Sequence, residues 1–207
     1  MSAAEIWQKR PGLPGQASIF YFDSHFQCSA VKVLPGEYFV SGDALLIMTV
    51  LGSCISVCLW DTHKHVGGMN HFLLPESETP EASGRYGAYA MELLVNEMFK
   101  LGAKREHLQA KIFGGAQVMH SFKTLNVGER NTQFVRQYLS TERIALVSED
   151  VLGLYPRKLC YFPATGKAFV KRLEQVHSEK LLPQDKEKPS NAARLVQTTL
   201  GGSVDLF

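Results

Sequence analysis

Cys54 stands in the stretch "LGSCISVCLW", just past the small pair Gly52-Ser53. A thiolate is both a nucleophile and a metal ligand, and a thiol is also a small apolar filler. The Gly-Ser pair lets the chain turn sharply and lets another backbone come close. A thiol just past such a turn can sit exposed at the end of an element. If the pair opens a helical turn, the positive end of that turn would also lower the thiol pKa. Cys58 and Cys160 lie inside apolar runs and read as core residues, while Cys28 lies in the N-terminal stretch.

A metal reading would use Cys54, Cys58, His63 and His65, a C-x3-C-x4-H-x-H pattern. Ile55, Val57 and Trp60 favour a strand here. On a strand, at about 3.3 Å per residue, Cys54 and Cys58 stand about 13 Å apart. Two sulfurs on one zinc must be within about 4 Å, given Zn–S bonds of about 2.3 Å. The pattern therefore does not read as a metal site, and His63 and His65 read as polar turn residues in "DTHKH".

A nucleophile needs a base, and His71 in "GGMNHFLLP" is the candidate. A four-residue turn over Asp61–Lys64 pairs Trp60 with His65, so that partner numbers sum to 125 and Cys54 faces His71. Directly opposed Cβ atoms lie about 4.5–5.5 Å apart, close enough for thiol and imidazole to meet. A five-residue turn moves the sum to 126 and sends the two side chains to opposite faces. Both registers are open to the sequence. A third group usually orients such a histidine, and Thr49 or a main-chain carbonyl could do so. Backbone N–H groups of Gly52, Ser53 and Cys54 could hold an oxyanion.

These residues need a scaffold. "EYFVS", "ALLIMTVLG", "CISVCLWD" and "VGGMNHFLLP" are short β-rich runs broken by Gly, Asp and Pro, and read as strands from about Glu37 to Leu74. The period then changes. Met91, Leu94, Val95, Met98 and Leu101 share one helical face, and Gly102 is a good stop. "LQAKIFGGA" reads as a strand, and "VGERNTQFVRQYLSTE" as a helix with Phe134, Val135 and Tyr138 on its apolar side. "RIALVSED" is another strand, and "RKLCYF" and "KAFVKRL" flank a "PATG" hairpin turn. The mixture predicts a layered α/β domain. Its expected bounds are residues 31–176, between a loosely ordered arm (1–30) and a polar tail (177–207).

Composition narrows the class. The chain has 207 residues, 45% of them apolar, enough for a core. Net charge is +2 with no long basic run, which gives no argument for nucleic acid. The longest apolar stretches fall well short of the roughly 20 residues of a membrane span. The N-terminus lacks the apolar core of a signal peptide, so a cytoplasmic protein with four free thiols is expected.

Taken together and in order, "LGSCISVCLWD", "GGMNHFLLP", "KIFGGA", "VGERN" and "PRKLCYFPATGK" resemble the CheD family, the chemoreceptor glutamine deamidases. The likeness runs from about Val40 to Leu173. It implies an α/β sandwich with a mixed, mostly antiparallel sheet, shared with a bacterial toxin deamidase domain. It implies hydrolysis of glutamine side chains on methyl-accepting chemotaxis receptors to glutamate, with release of ammonia and no cofactor or metal. The nucleophile would be Cys54 and the base His71. A Thr shortly before the Gly-Ser-Cys motif also belongs to such sites, and Thr49 is the Thr in that strand. Gly52, Ser53, Asn70, Gly114 and Gly115 are the expected substrate-binding or oxyanion residues. The implied partners are the cytoplasmic helices of the receptor. The alternative is a regulatory module that binds a CheC-type phosphatase. Where relatives often carry a Gly pair before Pro-Arg-Lys, this chain has Gly153 followed by Leu154.

Overall fold

The computed structural model describes residues 13–74, 80–117, 127–173 and 204–207. Eleven strands form two sheets. The first sheet runs β3-β6-β5-β7-β8, from Tyr38–Ser41, Val66–Asn70, Ile55–Asp61, Leu108–Gly114 and Ala145–Val151. The second runs β1-β2-β4-β9-β10-β11, from Ile19–Asp23, Cys28–Lys32, Leu46–Leu51, Arg157–Phe162, Lys167–Arg172 and Val204–Leu206. Most neighbours are antiparallel; β2–β4 and β7–β8 are parallel. The expected layered α/β class is the observed one.

Helices α1 (Pro80–Lys100) and α2 (Val127–Thr141) cover one face of the five-stranded sheet. Strand alternation sends Ile55, Val57 and Leu59 to that face, where they meet Met91, Leu94, Val95, Met98 and Val135. The opposite face carries Cys58, Met69 and Phe113 toward Ile47, Leu51, Leu159 and Tyr161 of the second sheet. The order is thus helices, sheet, sheet, with one core in each gap. The Tyr161 hydroxyl crosses the inter-sheet gap and donates to the Leu59 carbonyl at 2.7 Å. Helix α1 ends at Lys100, so Leu101 falls in the following turn and is exposed rather than on the apolar face. Gly102, at φ +86°, is the expected stop. No helix among the described residues is long and apolar enough to cross a membrane.

Three expectations change. The turn after β5 is Thr62–His65, closed by the His65 N–H on the Asp61 carbonyl, so partner numbers in β5–β6 sum to 127. Asp61 causes this. Its Oδ1 accepts the N–H groups of His63 and Lys64, which draws Asp61 into the strand as the last paired residue. Next, β1 and β2 form a hairpin in which Ile19 pairs with Lys32, so strand structure begins well before residue 31. Finally, residues 204–206 of the stretch read as a polar tail are a strand paired to β10.

Candidate active site

Cys54 lies where the chain leaves β4 in one sheet and enters β5 in the other. Gly52 and Ser53 make the bend between them, and no helical turn opens there. The cysteine is half-buried and packs against the inter-sheet core. In the 127 register His71 falls opposite Ser56, with Cys54 two residues farther along the same face. The pair is therefore diagonal, a relation with Cα atoms roughly 7–8 Å apart, rather than directly opposed. Both side chains still point into the gap between the sheets.

His71 is almost fully buried. Its main chain is held on both sides by the β2–β3 turn: its N–H donates to the Glu37 carbonyl and its carbonyl accepts from Gly36. Its ring reaches across the gap to Thr49 of β4, where Nδ1 and the Thr49 Oγ1 are 2.8 Å apart. The Thr49 hydroxyl spends its one proton on the Val33 carbonyl at 2.7 Å. Its oxygen can then only accept from the imidazole, which places the ring proton on Nδ1. Nε2 is left as a bare lone pair, buried and without a hydrogen-bond partner. Thr49 and a main-chain carbonyl thus stand in series: imidazole to threonine to the Val33 carbonyl.

Burial also sets the electrostatics. It lowers the His71 pKa to about 4, only partly opposed by the Val33 carbonyl. Burial pushes the Cys54 thiol up, against the lowering effect of its own N–H. The resting pair is a neutral thiol and a neutral imidazole with a vacant nitrogen, not a thiolate–imidazolium pair. The Gly52, Ser53 and Cys54 N–H groups find no main-chain or side-chain oxygen among the described residues.

The other expected residues have different duties. Asn70 is buried, and its Oδ1 takes the Val57 N–H at 3.0 Å in place of a ladder carbonyl. Its own carbonyl accepts from the Ser56 hydroxyl, and its Nδ2 donates to the Ala90 carbonyl on α1. The Asn70 amide is thus consumed in joining β5, β6 and α1, one residue from His71. Gly115 donates its N–H to the Cys54 carbonyl at 2.7 Å, so that N–H is not open to an oxyanion. Gly114, at φ +110°, lies so close that a Cβ would stand 2.2 Å from the Cys54 carbonyl oxygen. Gly115, at φ +68°, packs on the first two turns of α2 against Gly128 and Thr132. Both glycines brace the cysteine loop.

Two residues escaped assignment from sequence. Asn131 is fully buried on α2; its Nδ2 donates to the Ser53 carbonyl at 2.8 Å and its Oδ1 accepts the Leu74 N–H at 3.0 Å. One side chain thereby ties together the two segments that carry Cys54 and His71. Its place inside "VGERN" was visible, but nothing local shows that it reaches those segments. Arg157, also buried, fans its guanidinium onto the carbonyls of Gly114, Asp150 and Leu152. It fastens β9 to the end of β7, next to the cysteine loop.

Comparison with known proteins agrees with the motifs. Residues 73–172 match the family described as "CheD chemotactic sensory transduction". The chain is 62% identical over 194 residues to a protein of Albidiferax ferrireducens named "Probable chemoreceptor glutamine deamidase CheD 1", covering 94% of this chain and 82% of that one. It is 47% identical over 197 residues to a similarly named protein of Methylobacillus flagellatus, covering 92% and 96%. Among solved structures it matches the Bacillus licheniformis hypothetical protein YfiH at a TM-score of 0.38 and 13% identity, over 56% of this chain and 51% of the other. On the identity and coverage of its named relatives, this chain belongs to the CheD family.

Proposed function

We propose that this protein is a chemoreceptor glutamine deamidase in which Cys54 is the nucleophile, His71 the general acid and base, and Thr49 the residue that orients it. The observation that carries the mechanism is the Thr49–His71 hydrogen bond, which fixes the proton on Nδ1 and leaves Nε2 free in the gap that Cys54 faces. The names of the relatives supply the substrate class.

The reaction proceeds in two halves. As the sulfur attacks the glutamine Cδ, Nε2 takes the thiol proton, and the resulting imidazolium is stabilised by donating Nδ1–H to Thr49. The amide oxygen gains negative charge, which the N–H groups of the Gly52–Cys54 bend can hold. Nε2 then protonates the leaving nitrogen, ammonia departs and a thioester remains. Nε2 next takes a proton from water, hydroxide adds to the thioester, the C–S bond breaks and the imidazolium returns its proton to sulfur, which releases glutamate and restores the Cys54 thiol. Each turnover consumes one water and releases one ammonia. Asn70, Gly114, Gly115 and Asn131 serve by holding the two reacting segments. On a receptor's cytoplasmic helices the product carboxylates become methylatable sites, and the protein acts there, in the cytoplasm and in adaptation.

A receptor cytoplasmic fragment with glutamines at its modification sites tests this. It is incubated with the wild type and with Cys54→Ala, and amide-to-acid conversion is mapped by peptide mass spectrometry alongside ammonia. Conversion by the wild type alone is expected. Equal conversion by Cys54→Ala would remove the assigned nucleophile. A folded wild type inert on several receptors would turn the assignment toward a phosphatase-binding module.

A further inference from the structure

The β5–β6 turn and the segment that enters β7 meet at one end of the five-stranded sheet. Asp61 is the last residue of β5 and pairs with Leu108, so His107 arrives directly before that pair. The Thr62 N–H carries the contact one residue farther, onto the His107 carbonyl at 3.2 Å. His63 and His107, distant in sequence, thereby stack with ring centroids 3.8 Å apart and 29° between their planes. A carboxylate oxygen of Asp61 and one ring nitrogen of each histidine all lie within 4.8 Å of one another. Cys54 precedes the opposite end of β5, about 23 Å away at about 3.3 Å per residue.

The charges at this end call for a cation. Asp61 is fully buried. Burial alone would favour its protonated form, but the N–H groups of Lys64, Lys104 and His63 outweigh it and hold the carboxyl below its usual range. Among the described residues no lysine or arginine nitrogen pairs with this buried carboxylate. Its one neighbour of that kind is His107, whose Nδ1 stands 3.9 Å from Oδ1. That is too long for a hydrogen bond, and about 0.6 Å more than two ligands stand apart on a tetrahedral zinc with bonds of about 2.0 Å. Main-chain N–H groups take three of the carboxylate's roughly four acceptor positions, which leaves one for a metal.

Thr62 supports the histidines from outside. Its Oγ1 is 3.4 Å from the His107 carbonyl and 3.0 Å from His63 Nδ1. Giving its proton to the carbonyl, the hydroxyl accepts Nδ1–H and leaves the His63 lone pair on Nε2, the kind of outer partner that orients a ligating imidazole. His63 is exposed on the turn, so its ring has room to swing onto a shared ion. Two imidazoles and one carboxylate are a donor set that suits Zn²⁺.

We propose that Asp61, His63 and His107 form a zinc site, remote from Cys54, that pins the β5–β6 turn to the entry of β7. Water completes the coordination, and the ion supplies the countercharge of Asp61. The site stands apart from the proposed deamidase chemistry.

The untagged full chain, stripped with a chelator, is titrated with zinc chloride by calorimetry, and one equivalent is expected to bind. At about 100 µM zinc, a hundredfold over a Kd of about 1 µM, the thermal midpoint should rise by about 5 °C. His63→Ala and His107→Ala should each weaken binding at least about tenfold and remove the shift. His25→Ala, at an exposed histidine outside the set, should change neither. Cobalt(II) in place of zinc reads the donors in the unaltered chain: an imidazole–carboxylate set gives visible bands without thiolate-to-metal charge transfer. No binding by a folded wild type overturns the proposal. Unchanged affinity in either histidine variant, or a dominant thiolate band, also overturns it, because the ion would then sit on other ligands.

Discussion

At the scale of single residues, the proposed mechanism rests on proton placement rather than on a preformed thiolate. Burial raises the Cys54 pKa and lowers that of His71, so ion-pair formation in the resting protein is opposed from both sides. Alkylation of Cys54 by iodoacetamide should therefore rise steadily with pH through the ordinary thiol range, with no plateau near neutrality. A rate already flat from pH 6 to 8 would show a preformed thiolate and contradict this. Cys160, buried with its pKa pushed up to about 11, should stay unmodified under the same conditions. In the proposed mechanism Thr49 acts one step back. Thr49→Val keeps the volume but removes the oxygen that receives Nδ1–H. Its kcat should fall on the order of 10²-fold, the scale of a mispositioned general base, with KM little changed. Thr49→Ser, which restores the hydroxyl, should recover most of that loss. If valine and serine are equally active, Thr49 has no part in orienting the ring.

Elements decide whether Cys54 and His71 meet, and this scale was only partly legible. The strands from Tyr38 to Asn70 could be read because alternating apolar residues and Gly or Asp breaks mark them locally. The β5–β6 register could not, since it depends on the Asp61 carboxylate capping the turn, and one residue of slip reverses a face. The first hairpin was hidden because Ile19–Asp23 lacks clean alternation and pairs only with its neighbour. The site residues were legible as types and motifs, while their bracing from Asn131 on α2 spans 78 residues of sequence. That brace yields a pH-dependent prediction. Asn131→Asp puts a carboxylate against the Ser53 carbonyl oxygen, and the two repel. Once protonated, the same acid can donate to Ser53 and accept from Leu74, as the amide does. Burial raises the pKa of such a carboxyl. The kcat/KM of Asn131→Asp relative to wild type should therefore be low at about pH 8 and climb toward about pH 5.5, where buried carboxyls begin to protonate. Asn131→Ala should be impaired alike at both. Parallel profiles for the two variants would reduce Asn131 to packing.

For the molecule as a whole, the candidate site lies between two sheets, and the imidazole is part of what joins them. The Thr49–His71 contact crosses the same gap as the Tyr161–Leu59 hydrogen bond, so the histidine proposed as the base is also a structural one. It is held neutral there, and stability must depend on pH accordingly. The unfolded chain protonates His71 near the ordinary value of 6.5, whereas the folded chain does so only near 4. Between those values the unfolded state binds the extra proton, so the stabilising contribution is whole above 6.5 and drains away as pH falls toward 4. The shift corresponds to about 3 kcal/mol, a large share of the stability of a domain of this size. His71→Gln removes the titrating group and leaves the other acid-sensitive residues in place, including Asp61, whose carboxyl is held down by the backbone N–H groups it accepts. In urea unfolding at pH 7.5 and at pH 4, the wild type should lose about 3 kcal/mol more than His71→Gln. Equal losses in the two proteins would mean that burial does not depress the His71 pKa and that the ring takes up its proton at the same pH folded and unfolded.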